Sequence, residues 1–156
     1  MNRFFLIFLF VFIIVFLFFG FWGNKRSGSS LISKEADSLL IKINDWQAEV
    51  EIANTPLKRI NGLSERKEIQ EDQGMLFVFA KPDYYAIWMK KMNFPLDIIW
   101  LDENLRIVEI KNNIKPDSWP QSFTPSLPAQ YILELKSGVG EKYNFQKQDQ
   151  LILNHK

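Results

Sequence analysis

The chain contains no cysteine and only one histidine, and both shortages restrict its chemistry. Without cysteine there can be no disulfide, no thiolate nucleophile and no cysteine-based zinc site. The single histidine, His155, lies one residue from the C-terminus, where we expect a solvated side chain. Ser-His-Asp, Cys-His and HExxH sites therefore lack a required residue.

Glycine is also sparse, with seven residues in the chain. There is no Gly-rich phosphate loop and no G-x-S-x-G motif. These absences argue against an enzyme that binds a nucleotide or dinucleotide. The sequence predicts no cofactor and no metal site, and it favours a protein that is not an enzyme.

Acidic residues are missing from the first 26 positions. Three of the 19 basic side chains lie there, at Arg3, Lys25 and Arg26, so residues 27–156 carry 16 basic and 18 acidic side chains, a net charge of −2. Binding to nucleic acid requires a basic patch or stripe. We therefore expect no nucleic-acid partner.

What the N-terminus does contain is an uncharged apolar run at residues 4–22, which holds nine of the 14 phenylalanines. As a helix, such a run would be about 28 Å long, close to the bilayer hydrocarbon core of about 30 Å. It is longer than the apolar part of a signal peptide, about 7–15 residues. We interpret residues 1–22 as a single-pass transmembrane anchor, with a signal cleaved near Ser27-Gly28-Ser29 as the alternative.

The orientation of this anchor has two opposing indications. Lys25, Arg26 and Lys34 outnumber Arg3, which favours a cytoplasmic location for the C-terminal side. The early apolar run also has the character of a secretion signal, which favours export. We predict that the C-terminal domain lies outside the cytoplasm.

Residues 23–38 are polar and rich in serine and glycine, as expected of a flexible linker. Residues 39–156 remain as one domain, which is long enough for a single modest core. Alternating apolar residues predict strands at 39–44 and 46–53, joined by a hairpin turn at Asn44-Asp45. Thr55-Pro56 suits the start of a short helix and Asn61-Gly62 its end.

The core of the domain is predicted to form around apolar runs at residues 75–79, 86–89 and 96–101. A turn at Lys81-Pro82-Asp83 is expected to separate the first two runs. Further segments are a strand over 84–91, strands at 106–110, 129–136 and 151–153, an irregular loop at 112–128 and a helical turn at 139–145. The short connections predict a mainly β fold: a compact antiparallel β-sandwich or barrel-like domain with one or two short helices, preceded by an N-terminal transmembrane helix.

Several motifs occur in a characteristic order. They are DQGMLF at 72–77, Trp88-Met89-Lys90, Pro95-Leu96-Asp97, and then Ala129, Leu133-Glu134, Gly138 and Asp149. Together, over about residues 49–153, they resemble the bacterial and archaeal family catalogued as domain of unknown function 192. Ser64, Lys91-Met92 and Gln148 depart from its Met, Asn-Thr and Gly. The resemblance implies a compact, mostly β domain, often exported, whose activity is uncharacterised.

The candidate site is a ligand-binding patch at Trp88 and Lys90, with Asp97 and Arg66 nearby. In a strand, Trp88 and Lys90 share one face, so an aromatic plane and a cation could bind a sugar or an anionic group. The structural alternative is that Trp88 is core and Lys90 lies at its rim. The segment WPQSF at 119–123 could add aromatic contacts or cover the core.

Carboxylates allow a second set of interpretations. Asp97 and Asp102 are five residues apart in a strand, so they lie on opposite faces and cannot act as a dyad. Asp97 could instead pair with Lys90. Glu134 lies within the apolar strand AQYILELK and needs a partner if it points inward, for which Arg66 is the candidate.

The function that fits these observations is a membrane-tethered extracytoplasmic domain that binds a carbohydrate, an anionic envelope component or another ligand. Its expected partners are the membrane, through residues 4–22, and an envelope glycan or protein. The alternatives are a carboxylate-dependent envelope hydrolase and a structural module for protein interaction. A carboxylate pair in a cleft would favour the hydrolase, an open aromatic and cationic groove would favour binding, and an exposed apolar patch would favour protein interaction.

Overall fold

The computed structural model describes residues 37–154. The predicted transmembrane anchor, nearly all of the predicted linker and His155 lie outside these residues. Within the described part, no helix has the length and apolar character needed to cross a membrane.

The described residues form a mainly β domain with two short α-helices, as the sequence predicts. The elements are β1 (Ser38–Ile43), β2 (Trp46–Ala53), α1 (Pro56–Asn61), β3 (Gln73–Asp83), β4 (Ile87–Trp88), β5 (Leu96–Leu101), β6 (Ile107–Ile114), a 3-10 helix (Pro116–Ser118), β7 (Ser122–Phe123), β8 (Ala129–Lys136), α2 (Val139–Lys142) and β9 (Ile152–Asn154).

Seven strands form one sheet in the order β6-β5-β8-β3-β2-β1-β9, and β4 pairs with β7 in a separate two-stranded ribbon. Within residues 37–154 the predicted sandwich or barrel-like architecture is not observed, because the main sheet is single and is not closed. Backbone bonds such as Ile107 N–H to the Asp149 carbonyl do join the start of β6 to the segment before β9. The largely antiparallel pairing is confirmed. The one parallel pair among these strands is β2 with β3, because the intervening residues, including α1, form a crossover connection.

Local turn chemistry produces the first elements as predicted. Asn44 takes φ = 52° in the β1–β2 hairpin, a left-handed conformation that asparagine tolerates better than most residues. The Thr55 side chain accepts a hydrogen bond from Lys58 N–H, and Pro56 opens α1 where its missing N–H has no cost. Gly62 follows the helix with φ = 50°.

The centre of the sheet is buried on both faces, whereas β1 and β2 are buried on one. In β2 the exposed Gln47, Glu49 and Glu51 alternate with buried apolar residues. In β5 and β8 the apolar run is nearly continuous because successive side chains enter two different cores. The first core contains Leu76, Ile99, Leu101, Tyr131, Leu133 and Leu135. The second contains Met75, Phe77, Ile98, Trp100 and Ile132.

Two predictions about the middle of the chain are wrong. The expected turn at Lys81-Pro82-Asp83 is part of β3, because the β3–β8 ladder continues across an irregularity from Val78 to Asp83. Proline is tolerated at such a bulge, where the regular ladder bonds are interrupted. The strand expected over 84–91 is reduced to the two residues of β4.

Candidate ligand-binding site

Trp88, Lys90 and Trp119 form an exposed cluster, which we call the indole patch. The indole rings of Trp88 and Trp119 are nearly perpendicular, at 79°, with centroids 6.3 Å apart. The Lys90 Nζ lies 5.7 Å from the Trp119 ring centroid. Trp88 and Trp119 are 46% and 45% exposed, so both present aromatic surface to solvent.

Pairing of β4 with β7 assembles this patch. Trp88 lies opposite Ser122 in the ribbon, which brings the segment carrying Trp119 beside it. Met89 is 1% exposed, whereas its two neighbours are exposed. Trp88 and Lys90 therefore share one face opposite Met89, as strand alternation predicts, although Lys90 lies just beyond the end of β4. That face is exposed, so the alternative that Trp88 is a core residue is wrong.

Asp97 does not join the patch. Its carboxylate is fully buried and accepts backbone hydrogen bonds from Asn113 at 2.8 Å, Gly138 at 3.0 Å and Gly140 at 2.9 Å. The predicted pairing of Asp97 with Lys90 is wrong, because backbone amides supply its partners. The contacts of Asp97 are therefore structural, and its side chain is not exposed to solvent.

The Arg66 side chain pairs with Glu51 of β2, at 2.5 and 2.8 Å. This two-bond contact lowers the pKa of Glu51, chiefly through the hydrogen bonds from the guanidinium. Glu134 does point inward, but Arg66, its candidate partner, is bonded to Glu51 instead and influences Glu134 only through its charge. Of the four predicted site residues, the structure thus brings together Trp88 and Lys90.

A second feature lies beside the patch, in a pocket of about 280 Å³ between α1 and the second core. We call it the α1 pocket. Trp88 belongs to its rim as well as to the indole patch. Its other lining residues include Arg59, Leu63, Phe77, Phe79, Met92 and Glu134. Of the residues that line the pocket, Glu134 is the sole carboxylic acid.

Glu134 is the exceptional polar group of this pocket. Its side chain comes from β8, which lies between β3 and β5, and its cross-strand neighbours are the apolar Met75 and Ile98. Glu134 is 5% exposed, and among the described residues its Oε2 has no hydrogen-bond partner. Burial raises the pKa of Glu134 to about 8, and the charge of Arg66 opposes that rise.

The space above Glu134 depends on Gly62. A Cβ at this position would lie 3.3 Å from Phe77 Cζ and 3.7 Å from Glu134 Oε2. At the mouth, the Arg59 guanidinium donates to the Val78 carbonyl at 2.9 Å and lies 5.0 Å from the Phe79 ring centroid. The α1 pocket therefore has an apolar body, one cation at its mouth and one carboxyl group at its floor.

Sequence reasoning did not identify Arg59, Phe79 or the pocket itself. The available signal was Glu134, a carboxylate within an apolar strand, which indicated a buried acid without showing what lay opposite. The pocket arises from the placement of α1 over β3 and β8, a tertiary relationship. Over residues 37–154 there is also no group of three or more His, Asp or Glu side chains arranged to hold a metal ion.

Comparison with known proteins gives a family match over residues 39–153, to the DUF192 model described as "Uncharacterized ACR". A UPF0127 protein of Thermococcus kodakarensis is 35% identical over 96 residues, which cover 60% of this chain and 57% of the relative. A UPF0127 protein of Thermococcus gammatolerans is 30% identical over 96 residues, covering 60% and 59%. The chain thus matches less than two thirds of the length of these relatives.

Two crystal structures share the fold. One is a Sinorhizobium meliloti protein described as a candidate transcription regulator, with a TM-score of 0.71 and 27% identity over 74% of this chain and 93% of that one. The other is a Novosphingobium aromaticivorans protein of unknown function, with a TM-score of 0.70 and 24% identity over 74% and 84%. The second likeness bears on the fold alone.

Proposed function

The chain belongs to the DUF192 family, and from that premise we propose that it is a carbohydrate-binding protein, tethered to a membrane by residues 4–22, with its β domain outside the cytoplasm. The observation that carries the binding proposal is the indole patch. Two half-exposed indole rings meet at 79° with a lysine ammonium beside them. Exposed aromatic groups in such an arrangement are a recognition feature, since folding gains little from leaving them in water.

The geometry of the patch fits an acidic sugar. The C–H groups on a sugar face are attracted to the electron-rich face of an indole, and two perpendicular rings offer surfaces for two adjoining units. Among the described residues, the Lys90 ammonium contacts the Trp119 ring and not an acidic side chain. Lys90 would therefore pair with a carboxylate on the sugar. An acidic sugar would thus contact both the aromatic rings and the cation of the predicted site.

A hydrolase is less well supported. Glycosidases of the common types use two carboxyl groups about 5–10 Å apart across the scissile bond. The α1 pocket supplies one, Glu134, and no second acid lines it. The raised pKa of Glu134 would suit a general acid, but the partner that such a reaction needs is missing from the lining residues.

Titration with sugars tests the binding proposal. Full-length protein in detergent is mixed with acidic peptidoglycan fragments containing muramic acid, and with neutral cello-oligosaccharides, while tryptophan fluorescence is recorded. We expect the acidic fragments to bind more tightly. Trp119→Ala should weaken binding about 10-fold or more, as for aromatic residues central to an interface. Lys90→Ala should reduce the preference for the acidic sugar.

Matched controls are available at exposed positions in the same part of the sequence. Tyr84 is 55% exposed and lies outside the indole patch, so Tyr84→Ala removes a comparable aromatic group without touching it. Lys81→Ala removes an exposed lysine of β3. If the control variants weaken sugar binding as much as Trp119→Ala and Lys90→Ala do, the patch is not the site.

The membrane part of the proposal has a separate test. Residues 4–22 should keep the full chain in the membrane fraction through a carbonate wash, whereas a chain that starts near Ser30 should be released. Protease added to spheroplasts should digest the domain. Protection of the domain would place it in the cytoplasm, and a mature N-terminus near Ser29 or Ser30 would replace the anchor with a cleaved signal.

A further inference from the structure

The α1 pocket holds a chemical feature that sugar binding at the indole patch does not use. Glu134 is 5% exposed, its Oε2 is without a hydrogen-bond partner among the described residues, and it forms part of the pocket lining. Leaving a buried polar atom unpaired is unfavourable, so such atoms are uncommon unless something outside the chain satisfies them. The Glu134 side chain that carries this atom lines an opening that a small molecule can enter.

We propose that the α1 pocket binds a small neutral molecule whose apolar ring lies against Phe77, Phe79 and Met92 and whose acceptor oxygen takes a hydrogen bond from the Glu134 carboxyl group. The volume of about 280 Å³ lies just below the usual range for ligand pockets, about 300–1,000 Å³, and suits one ring with a short substituent.

The charges around Glu134 select against the other ligand classes. Its neighbours on β3 and β5 are Met75 and Ile98, which are uncharged. The charged groups that approach from α1 and the segment after it are Arg59, which lines the pocket, and Arg66, whose charge acts on Glu134. Two guanidinium groups disfavour a cationic ligand. The apolar lining disfavours an anion, because it would not replace the lost hydration.

The protonation state of Glu134 supports the direction of the hydrogen bond. Because burial raises its pKa to about 8, Glu134 is mainly neutral at pH 6 and can donate its O–H to an acceptor. Above about pH 8 Glu134 is mainly an ionised carboxylate, which only accepts hydrogen bonds. A ligand that offers nothing but an acceptor should therefore leave the pocket as Glu134 ionises.

Three matched aromatic probes separate these possibilities. Acetophenone offers a carbonyl acceptor and no donor, α-methylbenzylammonium has nearly the same shape with a positive charge, and benzoate has a negative charge. Binding to the full-length protein in detergent is measured by saturation-transfer NMR at pH 6 and pH 9.5. We expect acetophenone to bind at pH 6, to bind at least 10-fold more weakly at pH 9.5, and to outcompete both charged probes at pH 6.

Variants assign the binding to the pocket. Glu134→Leu removes the donor and should abolish acetophenone binding, whereas Glu134→Gln keeps a neutral donor and should bind with the same affinity at both pH values. Ala86→Trp places a large side chain at an exposed position of the pocket lining and should block entry with the fold intact. Ala80→Trp, at an exposed position of β3 outside the lining, is its control. Uptake by detergent micelles is common to all variants and is subtracted.

The outcomes are decisive in either direction. The proposal is overturned if acetophenone does not bind the parent at pH 6, if Glu134→Leu or Ala86→Trp binds it like the parent, or if the ammonium probe binds more tightly at pH 6. Trp119 is not part of the pocket lining. Loss of sugar binding in Trp119→Ala with acetophenone binding retained would separate the indole patch from the α1 pocket.

Discussion

Gly140 donates its backbone N–H to the buried carboxylate of Asp97 at 2.9 Å, an approach that the lack of a side chain permits. A Cβ on Gly140 would lie 3.4 Å from the same carboxylate oxygen and 3.0 Å from Asn112 Oδ1. With Asn113 and Gly138 also donating, Asp97 joins β5 to the end of β6 and to the start of α2. A carboxylate that receives three amide donors is stabilised in the interior without a cationic partner.

Asp97→Ala should therefore lower the free energy of unfolding by about 3 kcal/mol or more, because it leaves three amide donors without their acceptor. Urea titration of the variant measures this change. Asp117→Ala, at an exposed position of the 3-10 helix, is the matched control and should change stability by less than about 0.5 kcal/mol. Equal stabilities for the two variants would contradict the structural role given to Asp97.

Gly74, in the DQGMLF motif, has a steric role. It pairs with Leu135 in the β3–β8 ladder, and a Cβ there would lie 2.7 Å from the Glu134 carbonyl oxygen and 2.7 Å from Leu135 Cδ2. The carbonyl belongs to a central strand and cannot move alone. We expect Gly74→Ala to cost about 1–3 kcal/mol through overpacking, measured by urea titration. An unchanged midpoint would mean that β3 and β8 have more room than the structure shows.

Tyr131 is fully buried in the first core, and among the described residues its hydroxyl has no hydrogen-bond partner. Burial raises its pKa to about 12. Tyr131→Phe removes the unsatisfied hydroxyl and keeps the ring, so we expect stability to stay the same or to rise by about 1 kcal/mol. Tyr131→Ala is the contrast and should cost about 3–5 kcal/mol through the cavity it leaves. A marked loss in Tyr131→Phe would show that the hydroxyl has a partner in solution.

The parts of the fold that could be predicted from the sequence are those with a local cause. The β1–β2 hairpin follows from alternation and Asn44, and α1 follows from Thr55, Pro56 and Gly62. Pro82 misled the prediction because a proline is a turn signal in isolation. The β3–β8 pairing that makes it part of a strand depends on Ala129, far along the chain.

In the candidate site, too, features with a local cause could be predicted and those that depend on distant residues could not. The shared face of Trp88 and Lys90 follows from alternation around Met89, but alternation alone does not show that this face is the exposed one. The partners of Asp97 were not predictable, because they are backbone amides at Asn113, Gly138 and Gly140, and side-chain identity does not reveal amide positions. The α1 pocket likewise depends on the position of a helix over the sheet, which no residue pattern within α1 specifies.

Glu134 supplies the last prediction, a dependence of stability on pH with a defined sign. Its pKa is about 8 in the folded protein and 4.5 ordinarily. Below pH 4.5 the carboxyl group is neutral in both the folded and the unfolded protein, so its contribution to folding stability is at its largest. Between pH 4.5 and 8 the folded state holds the proton more tightly than the unfolded state, so stability falls as pH rises. Above pH 8 both states are ionised and the loss is complete.

Glu134→Gln cannot titrate at this position, so the difference in unfolding free energy between parent and variant isolates the effect. We expect the parent to lose up to about 5 kcal/mol of unfolding free energy relative to Glu134→Gln between pH 4.5 and 8. Urea titrations at pH 4.5, 6, 7 and 9 measure it. Glu51→Gln should show the opposite sign in titrations extended below pH 4.5, because Arg66 lowers the pKa of Glu51 and that stabilisation is lost as pH falls below 4.5. A parent–Glu134→Gln difference that stays constant with pH would mean that Glu134 is not shifted, and the hydrogen bond proposed for the α1 pocket would lose its donor.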